Sequence, residues 1–518
     1  MLSLLPVLDA WPGVARQNLG FESADAAGMP ADWSAVGPDD GAGASIQVDD
    51  SIAAAGERSL RIERQSSVGA SRLVQRLRGN DLADLVRGAG TARRVRLSGA
   101  LQAEGAAASL WLRIAGTRGA LYVDSYGDGQ EPDDAHPSSR AALGIGGWSR
   151  FTLELPLPDD TEEITYGVAL RGAGVAWFDA LEVSVADVAL QPPPSAAARR
   201  YVETAVSIME QQALATPAVG WETLRRATFE HARGAVAPGD AHLAIRYALR
   251  ELGDRHSYLQ SPRAAETQRG SAVANARTGQ AAVPPWGALL AGPVGYIGVP
   301  GFAGGTAPAQ VAFAESIKKV IQQYDSVDNC GWVVDLRRNT GGNLWPMLAG
   351  VGPLLGDGEV AASVYPDGRR VSVWYRDGLA GFGDHVQLRV NVSYRPHAAA
   401  LPVAVLLGPA TASSGEVLAA AFRGRAGSRS FGASTRGLST GNRTFPLADG
   451  AMLVLTVAAT SDRAGHVYTG PIEPDEPVAV ATTLRVGAGD PALAAALAWL
   501  ETQDACRADR MSSRSAAD

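Results

Sequence analysis

The stretch Gly408-Pro409-Ala410-Thr411-Ala412-Ser413-Ser414-Gly415-Glu416 follows an apolar run, Pro402 to Leu407, and opens an alanine-rich segment. A serine at such a strand-to-helix turn has its hydroxyl held at the sheet edge, with the next backbone N–H groups pointing outward and the helix dipole behind them. The chemistry this suits is nucleophilic attack beside an oxyanion hole. A plainer reading competes, because a serine with a glutamate three positions on also makes a capping box. A second segment, Gly331 to Asn343, runs Trp332-Val333-Val334-Asp335-Leu336 into a loop containing Gly341 and Gly342. The paired glycines let main chain approach a ligand closely, and Asp335, Arg337 and Asn339 can brace the loop by hydrogen bonds.

A nucleophilic serine needs a base, and the choice is small. The chain has two lysines, Lys318 and Lys319, both read as lying on the solvent side of a helix, and seven histidines: His136, His231, His242, His256, His385, His397 and His466. An imidazole with an ordinary pKa near 6.5 can take the serine proton at neutral pH and return it. Cysteine is limited to Cys330 and Cys506. That count excludes a CxxC redox centre or a Cys-rich zinc site, and nothing in the sequence brings the two together, so they read as free thiols. Lys+Arg is 46 against Asp+Glu 54, a formal charge of −8, which argues against a nucleic-acid partner. No metal or organic cofactor is implied, and no stretch has the ~18 uninterrupted apolar residues of a membrane span.

These residues need a frame, and 518 residues suffice for several domains. Residues 1–15 begin with a short apolar run but lack a basic n-region, so they read as a poor signal peptide or the remnant of one. From 16 to 188, alternating segments such as Ser59 to Glu63, Arg94 to Leu97 and Phe151 to Leu155 predict an all-β sandwich. The prolines Pro192 to Pro194 mark a linker over 189–195. Residues 196–262 read as helical, with Val202, Ala205, Val206 and Met209 at helix spacing. Residues 263–290 read as a linker or loop, 291–505 as an α/β core with a buried sheet, and 506–518 as a disordered tail. Val360 to Val390, with Tyr365, Trp374, Tyr375 and Phe382, reads as a hairpin that walls a cleft or packs at an edge.

The sandwich, opening with Asn18-Leu19-Gly20-Phe21 and closing with Trp177-Phe178-Asp179, resembles the galactose-binding-like jelly rolls of carbohydrate-binding modules, in which first and last strands pair. That resemblance implies a glycan contact. The remainder resembles the S41 peptidases, the C-terminal-processing and tricorn-like serine proteases built on a crotonase-like (ClpP/crotonase) α/β core. The resemblance runs through Leu252-Gly253-Asp254-Arg255-His256-Ser257, Gly295-Tyr296-Ile297, Asp335 to Gly342, the Ser413 turn, Gly432 to Asn442 and Ile472-Glu473-Pro474-Asp475. It implies a protein or peptide substrate, Ser413 as nucleophile, and oxyanion donors from Ser414 and from Gly341 or Gly342. Export to the periplasm or beyond the cell is a further implication.

The base divides the family. C-terminal-processing members use a lysine within a Thr-Phe-Gly-Lys-Gly motif, but the matching stretch here is Thr435-Arg436-Gly437-Leu438-Ser439, and leucine accepts no proton. Tricorn-like members use a histidine ahead of the core, a site that His256 matches, with His466 as runner-up. Their orienting residues are replaced: Arg255 precedes His256, and Tyr468-Thr469 fall where a glutamate is expected. Glu416, Asp462, Asp254 and Ser257 are the substitutes. Only about 35 residues separate Tyr258 from Gly295, too few for a PDZ fold, so specificity is expected from the core cleft or the sandwich. The competing expectation is a catalytically weak or inactive S41-fold protein that binds an apolar ligand or a glycan.

Overall fold

The computed structural model describes residues 18–36, 44–66, 70–79, 82, 93–124, 145–188, 191–266, 283–290, 293–303, 305–390, 394, 396–397, 401–479 and 489–507. The opening segment 1–15 lies outside them, as do 267–282 of the expected linker and 508–518 of the expected tail. The described residues fall into two compact units, Met1–Gln211 with Ala218–Glu266 and Thr444–Val454, and Gln212–Pro217 with Thr267–Arg443 and Leu455–Asp518.

The first unit contains β1 (Ser34–Val36), β2 (Ala44–Asp49), β3 (Ser59–Arg64), β4 (Ala70–Arg78), β5 (Arg93–Glu104), β6 (Ala107–Gly116), β7 (Gly119–Asp124), β8 (Ile145–Pro156), β9 (Thr161–Arg171) and β10 (Gly174–Asp187). They form two five-stranded sheets, β1-β4-β9-β6-β7 and β2-β3-β10-β5-β8. Period-two alternation selects the side chains that meet between them. Leu110, Leu112, Ile164, Tyr166 and Val168 from one sheet join Leu60, Ile62 and Phe178 from the other in a single core, all fully buried.

One expectation is not met among the described residues: the first and last described strands do not pair. β1 pairs with β4, and β10 lies between β3 and β5. The opening segment reaches β10 differently, because the bulge between Asp179 and Glu182 frees an amide and Leu181 N–H donates to the Leu19 carbonyl at 3.0 Å.

The helical segment supplies α1 (Ala196–Gln212), α2 (Trp221–His231) and α3 (His242–Glu251), and β11 (Tyr258–Gln260) pairs antiparallel with residues 452–454. Most of this segment, expected as the leading part of the peptidase, belongs with the sandwich in the first unit. Charged pairs explain why: Arg250 donates to Asp160 at 2.8 Å, and Arg118 pairs with Glu251.

The remaining elements are β12 (Trp286–Leu290), β13 (Val294–Gly298), α4 (Ala307–Tyr324), β14 (Gly331–Asp335), α5 (Leu344–Leu355), β15 (Gly358–Val364), β16 (Arg370–Arg376), β17 (Leu379–Phe382), β18 (His385–Arg389), β19 (Val403–Leu407), α6 (Ser414–Phe422), β20 (Ser428–Gly432), β21 (Thr440–Pro446), β22 (Met452–Ser461), β23 (Val467–Tyr468), β24 (Glu476–Pro477) and α7 (Pro491–Glu501). The second unit is centred on the sheet β12-β13-β14-β19-β20-β24, parallel except for its β12 edge. That edge strand falls within the stretch expected as a linker, which therefore ends earlier than the sequence suggests. Every residue of β13, β14 and β19 is buried, which is why those strands read as unbroken apolar runs. Alternate residues face opposite sides: Ile297, Val334 and Val405 pack with Ile317, Leu348 and Leu418 of the helices on one face. Tyr296, Val333 and Leu406 pack with Leu493 and Leu500 of α7 on the other. The stretch expected as one hairpin is a four-stranded antiparallel meander, β15 to β18.

Two further expectations are corrected. Lys318 is 2% exposed rather than solvated. A single apolar stripe does not describe α4, because α5, β12 and β18 all contact it and bury more than one face. Burial lowers the Lys318 pKa, with Glu315 and Asp377 opposing that shift. Cys330 and Cys506 are not free; they form a disulfide with Cα atoms 4.7 Å apart, so the expected tail begins after a buried, tethered residue. At a sequence separation of 176, no local pattern could reveal the pairing. Reduction, or Cys506→Ser, should lower unfolding free energy by about 2–5 kcal/mol, measurable by urea unfolding with and without reductant.

Candidate active site

Ser413 stands at the N-terminus of α6 with φ 52 and ψ −121. A non-glycine residue in that region is strained, and such strain persists where surrounding contacts over-determine it. Those contacts come from Glu416, which is fully buried. One of its carboxylate oxygens accepts from Ser413 N–H at 2.9 Å and Leu438 N–H at 2.8 Å. The other accepts from Gly437 N–H at 2.9 Å and from the Thr435 hydroxyl. Burial pushes the Glu416 pKa up, against these four donors, which favour the carboxylate. The plainer capping reading is only half met, since Ser413 Oγ makes no cap hydrogen bond to the helix.

The glycine loop is built against this turn. Gly341 and Gly342 have φ 96 and 103, values that favour glycine. A Cβ on Gly341 would lie 2.7 Å from the Ala412 carbonyl oxygen and 2.8 Å from Ser413 Cβ, so the loop touches the serine turn directly. Asn339 joins the two segments: its carbonyl accepts from Ala412 N–H at 2.9 Å and its Oδ1 from Gly341 N–H at 3.0 Å. Thr411 adds a second link, donating its hydroxyl to the Leu336 carbonyl at 2.9 Å.

This settles which amides are open. Gly341 N–H is taken by Asn339 and Ser413 N–H by Glu416. Gly342 N–H and Ser414 N–H have no acceptor among the described residues. The Ser414 hydroxyl meanwhile donates to the Gly342 carbonyl at 2.6 Å, tying the two together.

Behind the loop lies a buried charge network. Asp335 accepts from Tyr296 OH at 2.7 Å and from Arg337 Nη2 at 2.6 Å, and Arg337 Nη1 donates to Asp490 at 2.9 Å. Burial alone would lower the Arg337 pKa, but hydrogen bonds and charge from Asp335 and Asp490 outweigh it and raise the pKa. Asp490 also caps α7 by accepting from Leu493 N–H. Sequence reasoning missed Asp490, Tyr296 and Thr435; for Asp490 the Asp-Pro pair opening a helix was an available signal.

Among the other expected residues, Asp462 holds its own turn, accepting from Ala464 N–H, His466 N–H and Tyr468 OH. His466 is exposed and sits beside the Tyr468 ring. In the first unit, Asp254 accepts from His256 N–H at 2.9 Å and from both the amide and hydroxyl of Ser257. That turn passes through Arg255 at φ 53. The His256 side chain is half-buried, and burial lowers its pKa to about 4 against the opposing charge of Asp254. Among the described residues no group of three or more His, Cys, Asp or Glu could hold a metal ion, and no helix is long and apolar enough to cross a membrane.

Residues 293–478 match the family model described as Peptidase family S41. The chain is 27% identical over 286 residues to the nisin-resistance protein of Lactococcus lactis subsp. lactis, an alignment covering 55% of this chain and 83% of that protein. A lipoprotein structure from Streptococcus agalactiae is 24% identical, with TM-score 0.47, covering 60% of this chain and 98% of that one. The photosystem II D1 C-terminal processing protease is 17% identical, with TM-score 0.40, covering 55% and 94%. What the chain shares with peptidase family S41 is thus a similarity that the family model places over residues 293–478.

Proposed function

We propose that this chain is a serine-type peptidase on a crotonase-like core. Ser413 attacks the peptide carbonyl, and His256 takes the serine proton and then delivers it to the leaving amine. The Gly342 and Ser414 amides receive the oxyanion. Asp335, Arg337 and Asn339 act as positioning residues that hold the glycine loop against the serine turn. The observation that carries this reading is Ser413 at φ 52 on a helix N-terminus, its hydroxyl unused by the cap and two open amides beside it.

The pH dependence follows from the base. His256 must be neutral to accept a proton, and with a pKa of about 4 it stays neutral well below the range of an ordinary histidine. The acid limb of kcat/KM is therefore expected near pH 4, with activity lost as pH falls through that value. A pH–rate profile with an acid limb at 6 to 7 would contradict this assignment of the base.

The relative named for nisin resistance makes nisin the first candidate substrate to offer. Mass spectrometry of nisin and of a mixed peptide library, incubated with wild type and with His256→Ala, tests the reading: cleavage products from wild type alone are expected. Leu438 at the lysine position of the C-terminal-processing members favours a second reading, a non-catalytic binder. No cleavage of any peptide by folded wild type would support that one instead.

A further inference from the structure

Tyr201, His242 and Asp449 form a cluster in the first unit that the mechanism above does not use. Asp449 lies in a tight turn, where Gly450 N–H donates to the Leu447 carbonyl at 3.1 Å and Leu447 N–H to the Ala451 carbonyl at 2.9 Å. One oxygen of its carboxylate accepts from Tyr201 OH of α1 at 2.7 Å and from Ala451 N–H at 3.1 Å. The other lies 2.7 Å from Nε2 of His242, the first residue of α3. A carboxylate only accepts, so we assign the imidazole proton to Nε2, donated to Asp449. Tyr201 is 4% exposed and the His242 and Asp449 side chains 14% and 15%, so water competes little for these bonds. Burial lowers the His242 pKa, Arg246 adding to that effect and Asp449 and Asp240 opposing it. Burial acts to raise the Asp449 pKa, but hydrogen bonds from Tyr201, Ala451 and His242 outweigh it and lower the pKa.

What the cluster joins gives it consequence. Directly after the turn, Met452, Leu453 and Val454 of β22 pair with Gln260, Leu259 and Tyr258 of β11, and Tyr258 is two positions beyond His256. Leu259 and Leu453 are 2% and 0% exposed, so β11 cannot slip by one residue without turning buried side chains outward. On the other side of His256 the chain runs back through the Asp254 turn to α3, which begins at His242. The two flanks of His256 therefore meet at the contact between Asp449 and His242. Asp254 shapes the turn at His256, while β11 and α3 place that turn.

We propose that Tyr201, His242 and Asp449 are positioning residues for His256, closing the segment that carries it into a loop fastened at both flanks. The inference rests on the reading of His256 as the base. A misplacement of about 1 Å, even from a change remote from the chemistry, can cost about 10²-fold in rate. Closure of the loop also keeps the imidazole in its buried setting, which lowers the His256 pKa to about 4. Loosening the loop admits water and lets the ring return toward an ordinary histidine value.

The test is an NMR titration of the full chain carrying 13C at histidine Cε1, with the His256 and His231 signals identified from His256→Gln and His231→Gln. In wild type both rings are expected to titrate near pH 4. In Asp449→Ala the His256 midpoint should rise above about 5.5, toward the ordinary ~6.5. His231, buried against the Tyr247 ring, should stay where it is, which separates a local effect from general loosening of the unit. Asp449→Asn can still bond Tyr201 and the other tautomer of His242, and should return the His256 midpoint most of the way. On a cleaved peptide, Asp449→Ala should lower kcat about ten-fold with KM within about two-fold of wild type. Tyr201→Phe removes one hydrogen bond and leaves Asp449 and His242 paired, so it should move His256 the same way by less. An unchanged His256 midpoint in folded Asp449→Ala, or in Tyr201→Phe where Asp449→Ala does not fold, would overturn the proposal, as would a parallel rise at His231. If wild type cleaves no peptide, the reading of His256 as base fails, and the ring titration still decides the cluster.

Discussion

Ser413→Ala should lower kcat by at least about 10⁴-fold, as removal of a serine nucleophile does in comparable sites. The substitution deletes only Oγ, which makes no cap hydrogen bond to the helix. The features that hold the turn are main-chain ones: Ser413 N–H still donates to Glu416, and Ala412 N–H to the Asn339 carbonyl. Stability is therefore expected to stay within about 0.5 kcal/mol of wild type. Kinetics on a cleaved peptide, paired with thermal unfolding, check both halves. A large loss of activity with unchanged stability separates a nucleophile from a serine that merely caps a helix.

Arg337→Ala should destabilise the protein by about 3–5 kcal/mol, because it leaves Asp335 and Asp490 buried without their counter-charge. Arg337, Asp335 and Asp490 are 3%, 4% and 4% exposed, so water cannot replace the guanidinium. The same loss loosens Asp335 at the end of β14 and the cap of α7. Urea unfolding at neutral pH measures the effect. Arg337→Lys should restore only part of it, since one ammonium cannot reproduce the hydrogen bonds that Arg337 makes to both carboxylates. A loss under about 1 kcal/mol in Arg337→Ala would show that the network contributes little to folding.

Where local pattern and burial coincide, the sequence was a sufficient guide. The helix over Ala196–Gln212 follows from apolar spacing, and the unbroken apolar runs of β14 and β19 follow from a sheet covered on both faces. The serine turn and glycine loop were legible because both use residue types with special backbone needs. What stayed hidden depends on contacts distant in sequence. Asp490 reaches Arg337 across 153 positions, and Cys506 reaches Cys330 across 176. Lys318 was misread because periodicity assumes one covered helix face. Which of Gly341 and Gly342 has its N–H already taken could not come from sequence either, since it turns on a single hydrogen bond from Gly341 N–H to Asn339.

The central claim is that Ser413 is a nucleophile activated by His256. A fluorophosphonate probe, with the adduct located by peptide mass spectrometry, tests it most directly because labelling needs an activated hydroxyl but no knowledge of the substrate. The account predicts an adduct on Ser413 in wild type, labelling slowed at least about 10³-fold in His256→Ala, and none in Ser413→Ala. Folded wild type that remains unlabelled, or an adduct whose rate is indifferent to His256, would contradict it.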